Sequence, residues 1–429
     1  LKLLLKGGTI IDPTQNYNQV ADLLIENGLV SKIGENLSTT GAEVFDAQGL
    51  VIAPGFVDMH VHLREPGLEA KEDIASGTKA AAAGGFTTIA CMPNTKPVVD
   101  QAIIVSGILH RAQLEGVVNV KVIGALSKGQ QGKELAEIGD MILSGAVAIS
   151  DDGSSLDNNR LFKIGLEYTS MFGCPVISHA EDESLVDEGV MHEGAVSAML
   201  GMKGRPSVAE DIAVARDIML AEYTDSQLHI AHVSSKGAVE LIRQAKKRGV
   251  KVTAEATPHH LTLTDEAVKT FNTAAKVNPP LRSADHVAAL LEGLKDGTLD
   301  AIATDHAPHA FEEKDIEFRQ APPGFAGLET ALGVILTELY HTGKFTLVEI
   351  IEKMSTAPAS ILNIEAGSLK AGAPADIAII DTELEWTVDS SAFYTKGKHT
   401  PFDKKILKGK AVATIVSGKF VMRKGKVCI

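Results

Sequence analysis

Eight short apolar runs alternate with segments of helical pattern through the middle of this chain, and that alternation limits the folds open to it. The runs are 56–62, 87–92, 118–125, 146–150, 175–178, 227–232, 251–256 and 300–303. Intervening stretches such as 70–83, 209–221, 237–248 and 284–295 place apolar residues at the three- and four-residue spacing of an amphipathic helix. Eight strand–helix units over about 310 residues predict an α/β fold, a (β/α)8 TIM-like barrel. An open doubly wound sheet is the alternative, but no GxGxxG follows an early strand.

The two ends read differently. Short strand-like runs separated by turn residues fill 3–5, 8–13, 21–25, 29–34 and 43–46, and the pattern resumes at 375–381 and 411–422. Neither end has enough apolar residues for a core of its own. Packed together they predict one small β-sandwich domain built from both chain termini, spanning 1–52 plus 366–429, beside a catalytic barrel over 53–365.

Bulk properties exclude several classes. The net charge is −14 and aromatic residues make up 4%, which argues against a nucleic-acid surface. No apolar run is long enough to span a bilayer, and the apolar stretch in Leu1–Lys6 is too short for a signal peptide. A soluble cytoplasmic protein is the expectation. Cys91, Cys174 and Cys428 show no CxxC pairing. Two of them sit in strand-like runs, as buried free thiols do in a reducing compartment.

Chemistry concentrates where a barrel would put it, at the C-terminal ends of the strands. His60 and His62 are spaced i, i+2, so on a strand they project to one face, the arrangement of half a divalent-metal site. Arg64 follows two residues on, in a position expected to continue the strand. Strand two ends at Asn94, strand four at Asp151-Asp152-Gly153, strand five at His179, strand six at His232 and strand eight at Asp305 and His309. Strand three offers Ser127, and strand seven offers Thr257, His259 and His260 without an evident role. Four histidines and two aspartates meeting at one mouth suit one or two zinc-class ions, with an aspartate able to share its oxygens between two.

The stretches Asp58-Met59-His60-Val61-His62-Leu63-Arg64-Glu65-Pro66-Gly67 and Ala303-Thr304-Asp305-His306-Ala307-Pro308-His309-Ala310-Phe311-Glu312-Glu313-Lys314 resemble the amidohydrolase superfamily, and within it the dihydroorotase family. Cys91-Met92-Pro93-Asn94-Thr95 and Val277-Asn278-Pro279-Pro280-Leu281-Arg282 are similar to the same family. The resemblance covers nearly the whole chain. It implies one metal on His60, His62 and Asp305 and another on His179 and His232. Many amidohydrolases bridge the pair with a carboxylated lysine on strand four. This chain has Ala148-Ile149-Ser150-Asp151-Asp152-Gly153 there, and Asp152 is similar to the bridging carboxylate of lysine-free members, with Asp151 the competing choice.

The implied reaction is the reversible cyclisation of N-carbamoyl-L-aspartate to L-dihydroorotate in pyrimidine biosynthesis. Asp305 would be its proton carrier. Arg64 would hold the substrate carboxylate with Asn94 and His309, although a salt bridge to Glu65 or Glu69 is its alternative fate. Asn278 would meet the ring amide, with Pro323 and Gly324 giving backbone contacts. The segment 310–330, rich in charge and carrying Pro322-Pro323-Gly324, is either a cover over the site or an exposed connection. A homodimer and an aspartate transcarbamoylase are the partners the resemblance allows. The rival readings are a hydrolase of hydantoin, dihydropyrimidine or allantoin, a silent scaffold, and a metal-binding protein without turnover.

Overall fold

The computed structural model of the chain describes residues 2–428. Eight parallel strands run Phe56–Val61, Phe86–Cys91, Asn119–Gly124, Ala146–Ser150, Val176–Ser178, Leu228–Ile230, Val252–Ala256 and Ala301–Ile302, each hydrogen-bonded to the next in chain order. The last returns to the first through a parallel bridge between Val61 and His306, where the His62 amide donates to the His306 carbonyl at 2.8 Å. The barrel predicted from the alternating pattern is therefore present. Small residues let its wall close around a tight interior: Ala90, Ala148, Ala231, Ala301 and Ala303 pack with Met59, Met92, Ile123 and Ile177.

Capping residues set where the outer helices begin and end. The helix expected from 70 starts at Ile74, because the Asp73 carboxylate accepts from the Ser76 amide and the Ser76 hydroxyl completes a capping box. Lys236–Lys247 is capped by Ser235, and Ala284–Asp296 stops at Gly297, whose φ of 83° suits a residue without Cβ. Val208–Thr224 runs a little beyond its predicted ends.

The terminal segments form a sheet of their own with nine strands. Val51–Pro54 joins the two ends of the chain, pairing parallel with Lys2–Asp12 and antiparallel with Ile377–Thr387. Leu5, Ile10, Leu23, Ile25, Ile52, Ile377, Ile379 and Ile415 enclose its core.

Residues 51–56, a continuous apolar stretch, divide between two strands in two different sheets, Val51–Pro54 and Phe56–Val61. The break falls at Gly55, where a Cβ would lie 2.1 Å from Thr87 Oγ1, so the chain can cross only with glycine there. The run 411–422 is likewise two strands, Ile406–Val416 and Lys419–Arg423, folded back at Ser417-Gly418 with φ of 47° and 75°. Positive φ at both central residues is the signature of a two-residue hairpin turn. Conversely, 3–5 and 8–12 belong to one strand, Lys2–Asp12, that is interrupted by an irregularity between Leu5 and Gly8, and Pro13 starts the turn that follows.

Candidate metal centre

His60 lies within the first barrel strand and His62 one residue beyond its end, held in line by the bond to His306. Arg64 does not continue that strand. It sits in the following loop with φ of 61°, and its Nε donates to the Pro308 carbonyl at 3.2 Å. It is buried and forms no salt bridge with Glu65 or Glu69 among the described residues. His232 (φ 31°) and Asp305 (φ 48°) also adopt positive φ just past their strands. Side-chain-bearing residues held there cost about 1–3 kcal/mol each, and such strain collects at functional sites.

These strand ends bring six side chains to one point, all of them buried. Asp152 occupies the centre. Its Oδ2 lies 3.4 Å from His60 Nε2 and 3.4 Å from His62 Nε2, while its Oδ1 lies 3.6 Å from His179 Nδ1 and 3.5 Å from His232 Nε2. Asp305 Oδ1 completes the first set, at 3.5 Å from His60 Nε2 and 3.1 Å from His62 Nε2. In the second set His179 Nδ1 and His232 Nε2 approach to 2.8 Å. Ligands bound tetrahedrally at about 2.0–2.1 Å stand roughly 3.3 Å apart, so the donor spacing fits an ion of zinc size. His60 Nε2 and Asp152 Oδ1 are buried without a hydrogen-bond partner. Polar atoms are rarely left so unless something absent from the chain satisfies them.

Asp151, the competing bridge, faces elsewhere. Its carboxylate accepts from the Leu126 and Ser127 amides at 2.8 and 3.0 Å and from the Ser127 hydroxyl at 2.5 Å. Ser127 thus belongs to the scaffold under strand three. His260 bonds Thr257 and the Pro279 carbonyl, which accounts for one of the two unassigned histidines on strand seven. His259 is buried against Phe325.

Residues that the sequence pattern did not single out surround the cluster. Glu255 accepts from His60 Nδ1 at 2.7 Å and from His229 Nε2 at 3.2 Å. Glu181 lies 3.7 Å from His179 Nε2 and pairs with Arg205 at 2.9 Å, and Arg205 also donates to Asn278 Oδ1. One signal was available: a glutamate inside the apolar run 251–256 needs a buried partner. Burial opposes the charged form, yet the neighbouring carboxylates of Asp152 and Glu181 push His179 up to about 10. His179, Arg205 and Asn278 hold Glu181 down at about 2 despite its burial. The centre is an anionic nest that calls for cations.

A cleft of about 160 Å³ opens over this cluster. Arg64, Asn94, Asn278, His309, Pro323 and Gly324 all line it, together with Pro322 and five members of the cluster. Asn94 does more than face the cleft: its Oδ1 bonds His62 Nδ1 at 2.8 Å and so orients a member of the first set. His309 bonds the Pro323 carbonyl at 2.8 Å. The segment beyond Ala310 is no free connection. Phe318, Ala321, Phe325 and Ala326 are buried, and the buried Lys314 ammonium donates to the Pro322 carbonyl at 2.8 Å. Of the Arg64 guanidinium, only Nε has a hydrogen-bond partner among the described residues.

A barrel with histidines and aspartates converging at the C-terminal strand ends, beside a sheet built from both termini, defines the class of metal-dependent cyclic amidohydrolases. Solved structures agree. L-hydantoinase (dihydropyrimidinase) from Arthrobacter aurescens superposes with a TM-score of 0.90 at 27% identity, covering 100% of this chain and 97% of its own. Dihydropyrimidinase from Brevibacillus agri gives 0.87 at 25%, covering 100% and 96%. A family model described as dihydro-orotase-like matches residues 49–238. The dihydroorotase of Pelotomaculum thermopropionicum is 55% identical over 99% of both chains, and that of Trichlorobacter lovleyi 54% over 98% of this chain and 99% of its own. The chain belongs to the dihydroorotase family.

Proposed function

We propose that this chain is a zinc-dependent dihydroorotase, interconverting N-carbamoyl-L-aspartate and L-dihydroorotate. The observation that carries the reading is the placement of Asp152, one oxygen toward His60 and His62 and the other toward His179 and His232, beneath a cleft lined by Arg64. In this reading His60, His62, Asp305 and Asp152 hold one ion, and His179, His232 and Asp152 hold a second. Bound there, zinc would polarise the ring carbonyl and lower the pKa of water from about 15.7 toward 7.

The side chains divide the remaining work. Arg64 presents its terminal N–H groups to the substrate carboxylate, with Asn94 and His309 beside it on the same wall. Asn278 faces the ring amide, and Pro323 and Gly324 bound its far edge. Asp305 Oδ2 has no hydrogen-bond partner among the described residues. It would take the proton of the attacking water and pass it to the ring nitrogen as that bond breaks. Ring closure retraces these transfers. No helix among the described residues is long and apolar enough to cross a membrane, in keeping with a cytoplasmic role in pyrimidine synthesis. Pairing with a second copy or with an aspartate transcarbamoylase belongs to the same reading.

The test is hydrolysis of L-dihydroorotate by the zinc-loaded chain, with a chelated sample alongside and hydantoin and dihydrouracil as competing substrates. Metal-dependent turnover selective for dihydroorotate is the expected outcome. Preference for either neutral ring would overturn the assignment of Arg64, and turnover surviving chelation would overturn the metal centre.

A further inference from the structure

Strand seven, Val252–Ala256, supplies none of the six clustered side chains, yet it places a carboxylate directly behind them. Glu255 is 1% exposed. An ionised carboxylate so deeply buried must be paired, and its partners are informative. One oxygen, Oε1, accepts from His60 Nδ1 at 2.7 Å and from the backbone amide of His232 at 3.2 Å. The other, Oε2, accepts from His229 Nε2 at 3.2 Å, and His229 Nδ1 in turn bonds the Thr253 hydroxyl at 2.9 Å.

A carboxylate only accepts, so the His60 proton must sit on Nδ1. That fixes the tautomer and leaves a bare lone pair on Nε2, the atom facing Asp152 and Asp305. His232 is held differently. Its φ of 31° is a conformation that a histidine seldom adopts, and the bond from its amide to Glu255 is one of the contacts that sustains it. The same oxygen thereby governs one histidine from each donor set. His229 completes the account by donating to the second oxygen, its own tautomer set by Thr253.

We propose that Glu255 is a positioning residue that fixes His60 and His232 together and so couples the two metal positions. This rests on the reading of those histidines as ligands. Glu255 does not face the cleft and takes no part in the proton transfers. Its effect should be read in how tightly and with what geometry ions are held.

Glu255→Gln keeps the shape but removes the charge and replaces one acceptor by a donor. Cobalt(II) binding to the metal-free chain, followed by chelator competition and by visible absorption, should show each of two equivalents weakened by about 10- to 100-fold. The cobalt spectrum should change as well. Glu255→Asp keeps the charge on a shorter arm, should restore part of that affinity, and decides the matter if the glutamine variant does not fold. Two equivalents bound within twofold of the parent chain with an unchanged spectrum would overturn the proposal. Weakening of a single equivalent would overturn the coupling. A parent chain that takes up no cobalt would instead sink the metal centre itself, a result separable from either.

Discussion

The proposed function gives individual side chains in the cleft separable jobs, and substitutions should separate them. Arg64 touches neither donor set by hydrogen bond, so Arg64→Met should leave metal content intact, measured by elemental analysis, while kcat/KM falls by about 10²-fold or more. Losing one partner of a desolvated charge pair costs about 2–5 kcal/mol. A loss of metal would show that Arg64 also supports the centre. The adjacent aspartates give a sharper contrast. Asp152→Asn should lose at least one equivalent of metal, because its two oxygens each face a histidine pair. Asp151→Asn should keep both but lower stability by about 1–3 kcal/mol in denaturant unfolding, since Asp151 gathers three donors from Leu126 and Ser127. Position at a strand end does not separate these two, and in the sequence only the family resemblance favours Asp152. Which one points inward depends on the local path of the backbone.

At the scale of elements, the segment after strand eight is held from behind by buried ammonium groups. Lys276 donates to the Phe318 and Arg319 carbonyls at 2.8 and 3.0 Å, and Lys314 to that of Pro322. Burial pushes Lys314 down to about 7 and Lys276 to about 8, from 10.5 in the exposed chain. Between pH 7 and 10.5 the undocked segment therefore binds more protons than the docked one, and docking should strengthen as pH rises through that window. Limited proteolysis within 311–326 should slow from pH 7 to pH 9, and Lys314→Met should flatten the trend. This docking was not legible in the sequence, where charge and Pro322-Pro323-Gly324 suit a covering loop and an exposed one equally. The strands were legible because alternation with helices is a long-range signal. Their ends were less so. His62, Arg64 and His232 lie past the ends of their strands, and the breaks at Gly55 and Ser417-Gly418 are decided by a close approach and by backbone handedness. Of the ring around the cluster, Glu255 left a signal as a glutamate inside an apolar run, but its pairing with His60 and that of Glu181 with Arg205 are made only by the fold.

For the whole molecule, an ion held by residues of different strands stabilises only the state that unites them. Chelation should lower the melting temperature by several degrees, and restoring zinc should reverse the shift, since a ligand at 1,000 times its Kd adds about 4 kcal/mol. Equal melting with and without metal would mean that the centre forms no part of the folded structure's cohesion.

The barrel's seam carries a consequence in time. His62 and Asp305, neighbours across that seam, are 243 residues apart in the chain. Contacts of such separation carry the largest loop-closure cost and form late. During synthesis His60 and His62 leave the ribosome long before Asp305 does, so in the proposed assignment the first metal position could not be completed until Asp305 has emerged. Metal loading would thereby be tied to the closing of the last strand, and a truncated chain ending before residue 305 would carry histidines but no finished centre.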